Sequence, residues 1–508
     1  MKAYDVYLET SAEGLCMAHV PALPGCFARG QGKEAALRRL PEAVAGYHAW
    51  LARHGEAVAE GPPSGSEQTE LRIVAESEVG GPFNPGDTAA LFPPDRQPPA
   101  QAEIESYLRL MGYARSDLLA LARPLPPALL DWQPFPEWFT IRQVLRHVGN
   151  AEEWYVSRLV SPESLPPEWD HDEDLPLFDF LEMERRTAVA RLRRLTPAEQ
   201  TAIAYPTAWT RHPEEPWTLR KVLRRFLEHE LEHTAQVRQV VDLYRRGLLA
   251  SLAAEETVLL ELLLGLDEQT LAEEGLDLVL ADLAAEREAL WSWLAEVPEE
   301  DLFVAEGTPG VLASVARCSQ RLREQGARVA ALREDLSEKT KGPPSAAVLK
   351  AALAAARREL LAAAALVPAG ERHIRPVCGT WSVQDVIGHI ADWEVFGVKG
   401  LRHMASGGGT GPLPVEHIPD IDAWNEVHVA ARREQPWSQV WADLSQARED
   451  LDAVLREMET AALSRRHRFP WSAKGTAYDW LCVYLRHDRE HAARLRAVLT
   501  LPEIYSSS

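Results

Sequence analysis

The chain has 508 residues, too many for a single hydrophobic core, and about one domain per 100 to 200 residues would give three or four domains. Its 76 acidic residues outnumber its 54 basic residues, and the net charge of −22 repels a phosphate backbone. These features exclude a single-domain protein and argue against a nucleic-acid partner.

The cysteines and the apolar segments indicate a cytoplasmic protein. No two cysteines form a C-x-x-C pair, so neither a disulfide framework nor a thiolate zinc site is expected; the five are Cys16, Cys26, Cys318, Cys378 and Cys482. The first residues lack the basic and apolar regions of a secretion signal, and no run of about 18 apolar residues occurs. We therefore expect a soluble chain without a membrane partner.

The N-terminal region has the pattern of a small α+β domain. Apolar and polar residues alternate in "AYDVYLET" and "GLCMAHVPAL", which predicts two strands joined at "SAEG". The period lengthens in "KEAALRRLPEAVAGYHAWLARHG", as in an amphipathic helix. We expect this domain over residues 1–60. A linker rich in proline and glycine, with the strand candidate "TELRIVAES", is expected over residues 61–99.

Beyond residue 100 nearly every periodic segment is helical, and proline clusters such as "RPLPPALL" and "KGPPSAA" separate the helices. Antiparallel bundles are the natural assembly for such helices. The predicted fold class is mainly α, with bundles over residues 100–247 and 343–500. A further helical segment is expected over residues 248–342, and a short tail over residues 501–508.

The two predicted bundles share a repeated pattern. "FTIRQVLRHVGNAEEW" aligns without gaps with "WSVQDVIGHIADWEVF", which pairs His147 with His389 and Glu152 with Glu394. "WTLRKVLRRFLEHELEH" aligns with "GTAYDWLCVYLRHDREH", and both contain H-x-x-E-H. Each of these helices is expected to begin at a hydroxyl cap; the four are Thr140, Thr218, Ser382 and Thr476.

The matched histidines predict two metal sites. Residues four apart on a helix lie on one face, so two imidazoles can bind one ion, and a histidine from a neighbouring helix can complete the set. Three nitrogen ligands with an open position are typical of a catalytic site. The predicted ligands are His147, His229 and His233 in the first copy and His389, His487 and His491 in the second. Zinc is the expected ion, with nickel or another divalent ion as the alternative.

Glu152 and Glu394 are the predicted catalytic carboxylates, because each follows its histidine by a little over one helical turn and could accept a hydrogen bond or a proton. The alternative is a solvated surface glutamate. Glu230 leaves another alternative open, since "HELEH" also fits the H-E-x-x-H motif of metalloproteases. Asp488 stands at that position in the second copy, so the motif is not shared. Four tryptophans are expected as walls of the sites or as core residues: Trp138, Trp154, Trp381 and Trp393.

These motifs resemble those of the DinB-like family of four-helix bundles, over about residues 100–247 and 345–500. The resemblance implies a divalent metal bound by one histidine near the start of the second helix and by an H-x-x-x-H pair on the fourth, which are the six histidines named above. The family includes thiol-dependent S-transferases and metal-dependent hydrolases. The resemblance therefore implies a small-molecule substrate and a low-molecular-weight thiol as a second cofactor.

Residues 248–342 resemble a degenerate half copy of the same bundle. They contain no histidine, so they cannot form a three-histidine site. Cys318 lies near the position of the missing ligand, and we expect it in the core. Structural support is the expected role of this segment.

The stretch "VPALPGCFARGQGKEAALRRL" resembles the HicB-like antitoxin fold. The matching residues are Pro21, Leu23, Pro24, Gly25, Cys26 and Gly30. No basic DNA-binding segment accompanies them, so we expect oligomerisation or ligand contact instead of an antitoxin function.

The sequence thus predicts a metal-dependent transferase or hydrolase, in which the ion lowers the pKa of a water or thiol that attacks a small electrophile. The alternative is a non-catalytic scaffold or sensor that binds a metal or small molecule through its bundles. A homo-oligomer is compatible with either function.

Overall fold

The N-terminal region contains a four-stranded sheet with one helix. The computed structural model describes residues 3–56, 70–81, 83, 87–171, 174–298, 302–303, 311–406 and 413–502. The first elements are β1 (Ala3–Ser11), β2 (Leu15–His19), β3 (Phe27–Gln31), α1 (Lys33–Arg53) and β4 (Glu70–Val79). The strand order is β3-β2-β1-β4, in which β1 pairs antiparallel with β2 and parallel with β4. The predicted hairpin and the strand candidate "TELRIVAES" are both confirmed.

The described residues divide into two compact units, residues 1–240 and residues 241–503. In the first unit, the helices that follow the sheet are α2 (Gln101–Ala122), α3 (Pro127–Leu130), α4 (Ile141–Val156), α5 (Leu177–Arg193), α6 (Pro197–Thr201) and the start of α7 (Leu219–Leu262). One hydrophobic core joins apolar residues of the sheet and of α1, such as Val6, Leu40 and Trp50, to bundle residues such as Met111 and Leu227. The α+β region and the first bundle therefore fold around shared apolar contacts.

The second unit is again mainly helical. After the end of α7 its elements are α8 (Glu268–Glu273), α9 (Leu276–Glu296), α10 (Val311–Lys339), α11 (Ala346–Ala364), β5 (Pro376–Cys378), β6 (Trp381–Ser382), α12 (Val383–Ala405), α13 (Ile421–Arg432), α14 (Trp437–Glu457), α15 (Thr460–Leu463), β7 (Arg466–Arg468), β8 (Lys474–Thr476) and α16 (Ala477–Arg496). The strands form two short hairpins, β5-β6 and β7-β8. Each hairpin leads directly into a helix that carries predicted ligands.

The predicted fold class, mainly α with a small α+β region, is confirmed. The predicted domain boundaries stay a prediction, and the one at residue 247 falls inside α7. Cys318 is fully buried, as expected of a core residue. Residues 61–69 of the predicted linker and residues 503–508 of the predicted tail lie outside the described residues.

Candidate metal centres

Helix caps fix where the histidine-bearing helices begin. In the first unit, the Thr140 hydroxyl accepts a hydrogen bond from the Gln143 backbone N–H at 3.1 Å, and the Gln143 side chain accepts one from the Thr140 N–H at 2.9 Å. The Thr218 hydroxyl accepts from the Lys221 N–H at 3.2 Å at the start of α7. Reciprocal bonds of this kind satisfy backbone donors that the first turn leaves without partners.

The second unit has the same caps. Ser382 and Asp385 form a capping box at the start of α12, and Thr476 and Asp479 form one at the start of α16. The four predicted caps are therefore confirmed. They place His147 and His389 at the same depth in corresponding helices.

The three histidines of the first copy converge. Nε2 of His229 lies 2.9 Å from Nε2 of His147 and 3.1 Å from Nε2 of His233. His147 comes from α4, whereas the other two lie one turn apart on α7. Nδ1–H of His233 donates to Oε1 of Gln236 at 2.8 Å, which leaves Nε2 of His233 as the basic nitrogen that faces the other two.

The second copy repeats this arrangement. Nε2 of His487 lies 2.9 Å from Nε2 of His389 and 3.1 Å from Nε2 of His491. His389 and His491 are buried, and Nδ1 of each has no hydrogen-bond partner among the described residues. The structure thus brings each predicted trio together, but only the first copy has a side-chain acceptor behind its last histidine.

The protein environment keeps these imidazoles neutral. Burial, followed by the charge of His233, lowers the pKa of His147 to about 4. Burial and the neighbouring imidazoles lower the pKa of His389 to about 2, and burial with His487 lowers that of His491 to about 3. A neutral imidazole has a free lone pair, which is the form that binds a metal.

The trios fit a divalent ion chemically. Two neutral imidazole nitrogens 2.9 Å apart need a proton or a cation between them, because their lone pairs repel. Among the described residues these two trios are the groups of three or more ligating side chains that could hold a metal. Three nitrogen donors that leave a coordination position for a further ligand suit zinc and similar ions.

The predicted catalytic glutamate of the first copy lies in a buried ion-pair cluster. Arg185 Nε contacts both carboxylate oxygens of Glu152 at 3.1 Å, and Arg115 donates to the same carboxylate. Both arginines also bind Glu230, the residue that follows His229. Burial acts to raise the pKa of Glu230, but the two guanidinium groups outweigh it and the pKa is lowered. Glu230 is therefore not a free general base, which argues against the H-E-x-x-H alternative.

The second copy has an equivalent cluster. Arg357 donates to Glu394 Oε1 at 2.7 Å and to Asp488 Oδ2 at 3.0 Å, and Arg448 contacts the same two carboxylates. In both copies the four residues come from four helices, and the acidic residue on the last helix follows a predicted ligand directly. We call these the Arg-carboxylate quartets. The alternative of a solvated glutamate is wrong, because Glu152 and Glu394 are each only 1% exposed.

The two glutamates differ in how completely they are paired. Both oxygens of Glu152 accept hydrogen bonds, whereas Oε2 of Glu394 is buried without a partner among the described residues. Burial is the main cause that raises the pKa of Glu394, against the lowering effect of Arg448 and Arg357. A proton-transfer role for either residue stays a prediction.

His428 was missed from the sequence and lies near the second trio. Its ring stacks on Trp424 at 3.6 Å between centroids, and Nδ1–H donates to the Trp424 carbonyl at 2.8 Å. Trp424 in turn contacts Trp393, whose ring lies 6.4 Å from that of His389. The hydrogen bond leaves Nε2 of His428 as the basic ring nitrogen. The signal in the sequence was the W-x-x-x-H spacing of Trp424 and His428, which places both on one face of α13.

A cavity of about 1470 Å³ opens onto the first trio. Its lining includes all three histidines together with Trp138 and Trp154, two of the predicted wall residues. In the second unit Trp381 packs 4.9 Å from the ring of His389. The tryptophans that the sequence singled out therefore lie at the two trios.

Residues 111–237 and residues 352–495 each match the family model described as the DinB superfamily, and together they cover more than half of the chain. The chain belongs to the DinB superfamily. Each matched region contains one complete histidine trio. The DinB match does not extend over residues 248–342, so the interpretation of that segment as a half copy stays a prediction.

The N-terminal region is similar to the UPF0150 protein Ta0767 of Thermoplasma acidophilum, with 38% identity over 55 residues, which are 11% of this chain and 80% of that protein. This similarity is consistent with a HicB-like fold for the region. No solved structure matches the chain. Among the described residues, no helix is long and apolar enough to cross a membrane.

Proposed function

We propose that this DinB superfamily protein is a metal-dependent enzyme that acts on small electrophilic compounds, either by transferring a thiol to them or by hydrolysing them. The observation that carries the proposal is the convergence of three Nε2 atoms in each bundle. Zinc is the ion that we expect at both trios. When bound, such an ion supplies Lewis acidity that lowers the pKa of a coordinated water or thiol.

The residues around the first trio support chemistry on an organic molecule. The cavity lets a compound approach the histidines, and Trp138 and Trp154 offer it apolar surface. Burial raises the pKa of Tyr155 to about 12, so its phenol stays protonated beside His229. A protonated phenol is a hydrogen-bond donor that can stabilise negative charge on a substrate.

We propose that Glu152 and Glu394 act mainly by holding the histidine-bearing helices in position. Each holds two arginines that also bind the acidic residue next to a ligand, Glu230 or Asp488. A carboxylate that accepts hydrogen bonds from two guanidinium groups fixes the spacing of the helices that carry the histidines. In the second copy, Oε2 of Glu394 has no partner among the described residues and could accept a proton. In the first copy, both oxygens of Glu152 already accept hydrogen bonds.

The test is a turnover assay on zinc-loaded, full-length protein. Glutathione, cysteine and other small thiols are offered with 1-chloro-2,4-dinitrobenzene for thiol transfer, and p-nitrophenyl acetate is offered for hydrolysis. We expect His229→Gln and His487→Gln each to remove the rate that belongs to one copy, and the double variant to remove all of it. His373→Gln is the matched control, because His373 is exposed and outside both trios.

Two results separate this proposal from the sensor alternative. Turnover that is lost with the trio ligands and kept in His373→Gln supports the enzyme. Full metal occupancy without turnover of any thiol, electrophile or ester would contradict it and favour a binding protein. We further propose a small-molecule substrate and no nucleic-acid partner, since the net charge is −22.

A further inference from the structure

The N-terminal sheet and helix form one wall of the cavity at the first trio. Cavity residues from this region include Phe27 and Arg29 on β3 and Arg39, Gly46 and Tyr47 on α1. The bundle contributes the three histidines and the aromatic residues beside them. A compound in this cavity would therefore contact both parts of the first unit.

This wall is attached to the helix that carries two of the ligands. Nδ1–H of His19 donates to Glu228 at 2.9 Å, and both residues are buried. Arg29 pairs with Glu232 at 2.9 Å. Glu228 and Glu232 lie immediately before His229 and His233, so the wall has a fixed position relative to the trio.

Gly25 allows the close approach of these two parts. A Cβ atom at Gly25 would lie 2.9 Å from side-chain atoms of Leu227 and Leu231 on α7, and the residue has a φ of +89°. Both facts favour glycine at this turn. The glycine of the "LPGC" motif thus lets the turn pack directly on α7.

The second copy has no carboxylate at the position of Glu228, which holds the wall in the first copy. In the alignment of the two H-x-x-E-H segments, Arg486 stands where the first copy has Glu228. An arginine there would repel a group such as His19 when it is protonated, instead of accepting its hydrogen bond. The second copy therefore lacks the carboxylate that accepts the hydrogen bond from His19 in the first copy.

The charge of the cavity differs from that of the chain. Its lining has five arginines and three acidic residues, although the whole chain has a net charge of −22. One of the three acids, Glu232, already pairs with Arg29. Nη1 of Arg39 donates to the backbone carbonyl of Arg29 at 2.8 Å, and among the described residues no carboxylate pairs with Arg39. An incoming anion can therefore bind the Arg39 guanidinium without first displacing a carboxylate.

Aromatic surface surrounds this basic region. The side chains are Tyr47, Trp50, Trp138, Phe139 and Trp154, and Phe139 is 57% exposed. A volume of about 1470 Å³ exceeds that of a common small-molecule pocket, which is about 300 to 1,000 Å³. The cavity accommodates a molecule with a large apolar or aromatic body.

We propose that the N-terminal region is the specificity module of the first copy, and that it selects organic anions with an aromatic or large apolar body, such as aryl carboxylates or sulfonates. The inference rests on the proposed function for its site, and it adds the substrate class. Arg39 receives the anionic group, and the aromatic walls receive the body. The second copy, without this wall, does not share the selectivity.

Fluorescent probes of matched shape test the inference on zinc-loaded, full-length protein. 8-Anilinonaphthalene-1-sulfonate carries the anionic group, and N-phenyl-1-naphthylamine has the same aromatic body without it. Arg39→Gln should weaken binding of the sulfonate by about ten-fold, as for a lost hydrogen bond to a charged group, and leave the neutral probe unchanged. Arg38→Gln is the control, because Arg38 is an exposed neighbour on α1 outside the cavity.

A second pair of variants fills the cavity without touching the ligands. Apart from the nearby backbone of the same helix and the two chain neighbours, no described atom lies within 4 Å of a Cβ placed at Gly46, which lines the cavity, or at Gly112, which lies on α2 outside it. Gly46→Phe should weaken binding of both probes, whereas Gly112→Phe should not. Helix content, checked by circular dichroism, should be retained in both variants.

The probe affinities of the Arg39→Gln and Gly46→Phe variants decide whether the inference holds. Weaker sulfonate binding in Arg39→Gln, together with weaker binding of both probes in Gly46→Phe, supports the inference. Unchanged affinities in either variant, or equal losses in the control variants, would overturn it. The probes report binding and not turnover, so this failure is distinguishable from a metal-loaded protein that binds the probes but catalyses nothing.

Discussion

At the scale of single residues, the two trios differ most behind their ligands. Gln236 accepts a hydrogen bond from His233 in the first copy, whereas Arg494 occupies the equivalent position in the second, and Nδ1 of His491 has no partner among the described residues. A partner behind a histidine ligand fixes its tautomer and its orientation. The first site is therefore better prepared to bind an ion.

We predict that Gln236→Leu lowers the metal affinity of the first site by about ten- to 100-fold, as is usual for the loss of such a partner. The affinity is measured by competition with a chromophoric chelator in a His487→Gln background, which leaves one trio. Gln239→Leu, three residues further along α7, is the matched control. Equal affinities of Gln236→Leu and its parent would contradict the importance of this hydrogen bond.

The six histidines could be predicted because their signal is local. A spacing of four on a helix and a fixed distance from a cap are set by backbone geometry alone, and each occurs twice. Gln236 could not be found in this way, because Arg494 replaces it in the other copy. His19 and Glu228 are more than 200 residues apart in sequence, so only the folded chain brings them together.

At the scale of secondary-structure elements, each bundle is joined by its Arg-carboxylate quartet. Arg115, Glu152, Arg185 and Glu230 come from α2, α4, α5 and α7, and the second unit uses α11, α12, α14 and α16 in the same order. Side chains from four helices can satisfy one another only if the helices are packed at the correct depth. The quartets therefore stabilise the geometry of the trios beside them.

We predict that Arg115→Met lowers the free energy of unfolding of the first unit by about 3 to 5 kcal/mol, because it leaves buried carboxylates short of a partner. Urea titration of the full chain measures this. Arg109→Met, on the same helix, removes an exposed ion pair with Glu56 and should cost about 0 to 1 kcal/mol. Equal effects of the two substitutions would contradict a structural role for the quartet.

The arginines of the quartets were not predicted, although one signal was present. Arg115 precedes His147 by the same number of residues as Arg357 precedes His389. The match indicates a contact only if the first and second helices of each bundle face each other, which the sequence does not show. The helices themselves and their caps followed from periodicity, but partners between helices depend on tertiary packing.

At the scale of the whole molecule, two matched sites lie in one chain, and within the first unit an α+β wall lines the first site. The repeat was visible in the sequence because both copies keep ligands and caps in register. The packing of the N-terminal region onto α7 was not, since no pattern marks Glu228 as a residue that binds another domain. Of the two roles expected for the region, oligomerisation or ligand contact, this packing favours ligand contact.

We predict that the metal-free protein loses stability as the pH falls from about 6.5 towards 4. The unfolded chain takes up protons on His147 near pH 6.5, whereas burial keeps the pKa of this residue at about 4 in the folded state. Stability is therefore present above the unfolded pKa and is lost as the pH falls through that window.

The control is a His147→Gln and His389→Gln double variant, because glutamine does not titrate. Its unfolding free energy, measured by urea titration at each pH, should fall less steeply than that of the original chain over the same window. Identical pH dependences would show that these imidazoles are not desolvated as described. Carboxylates that titrate below pH 5 contribute equally to both proteins and cancel in the comparison.

The central claim is that each histidine trio binds one divalent ion, and elemental analysis of the purified, dialysed chain tests it most directly. We expect two ions per chain, one after either His229→Gln or His487→Gln, none after both, and two after His373→Gln. A metal content that does not change when trio ligands are replaced would contradict it.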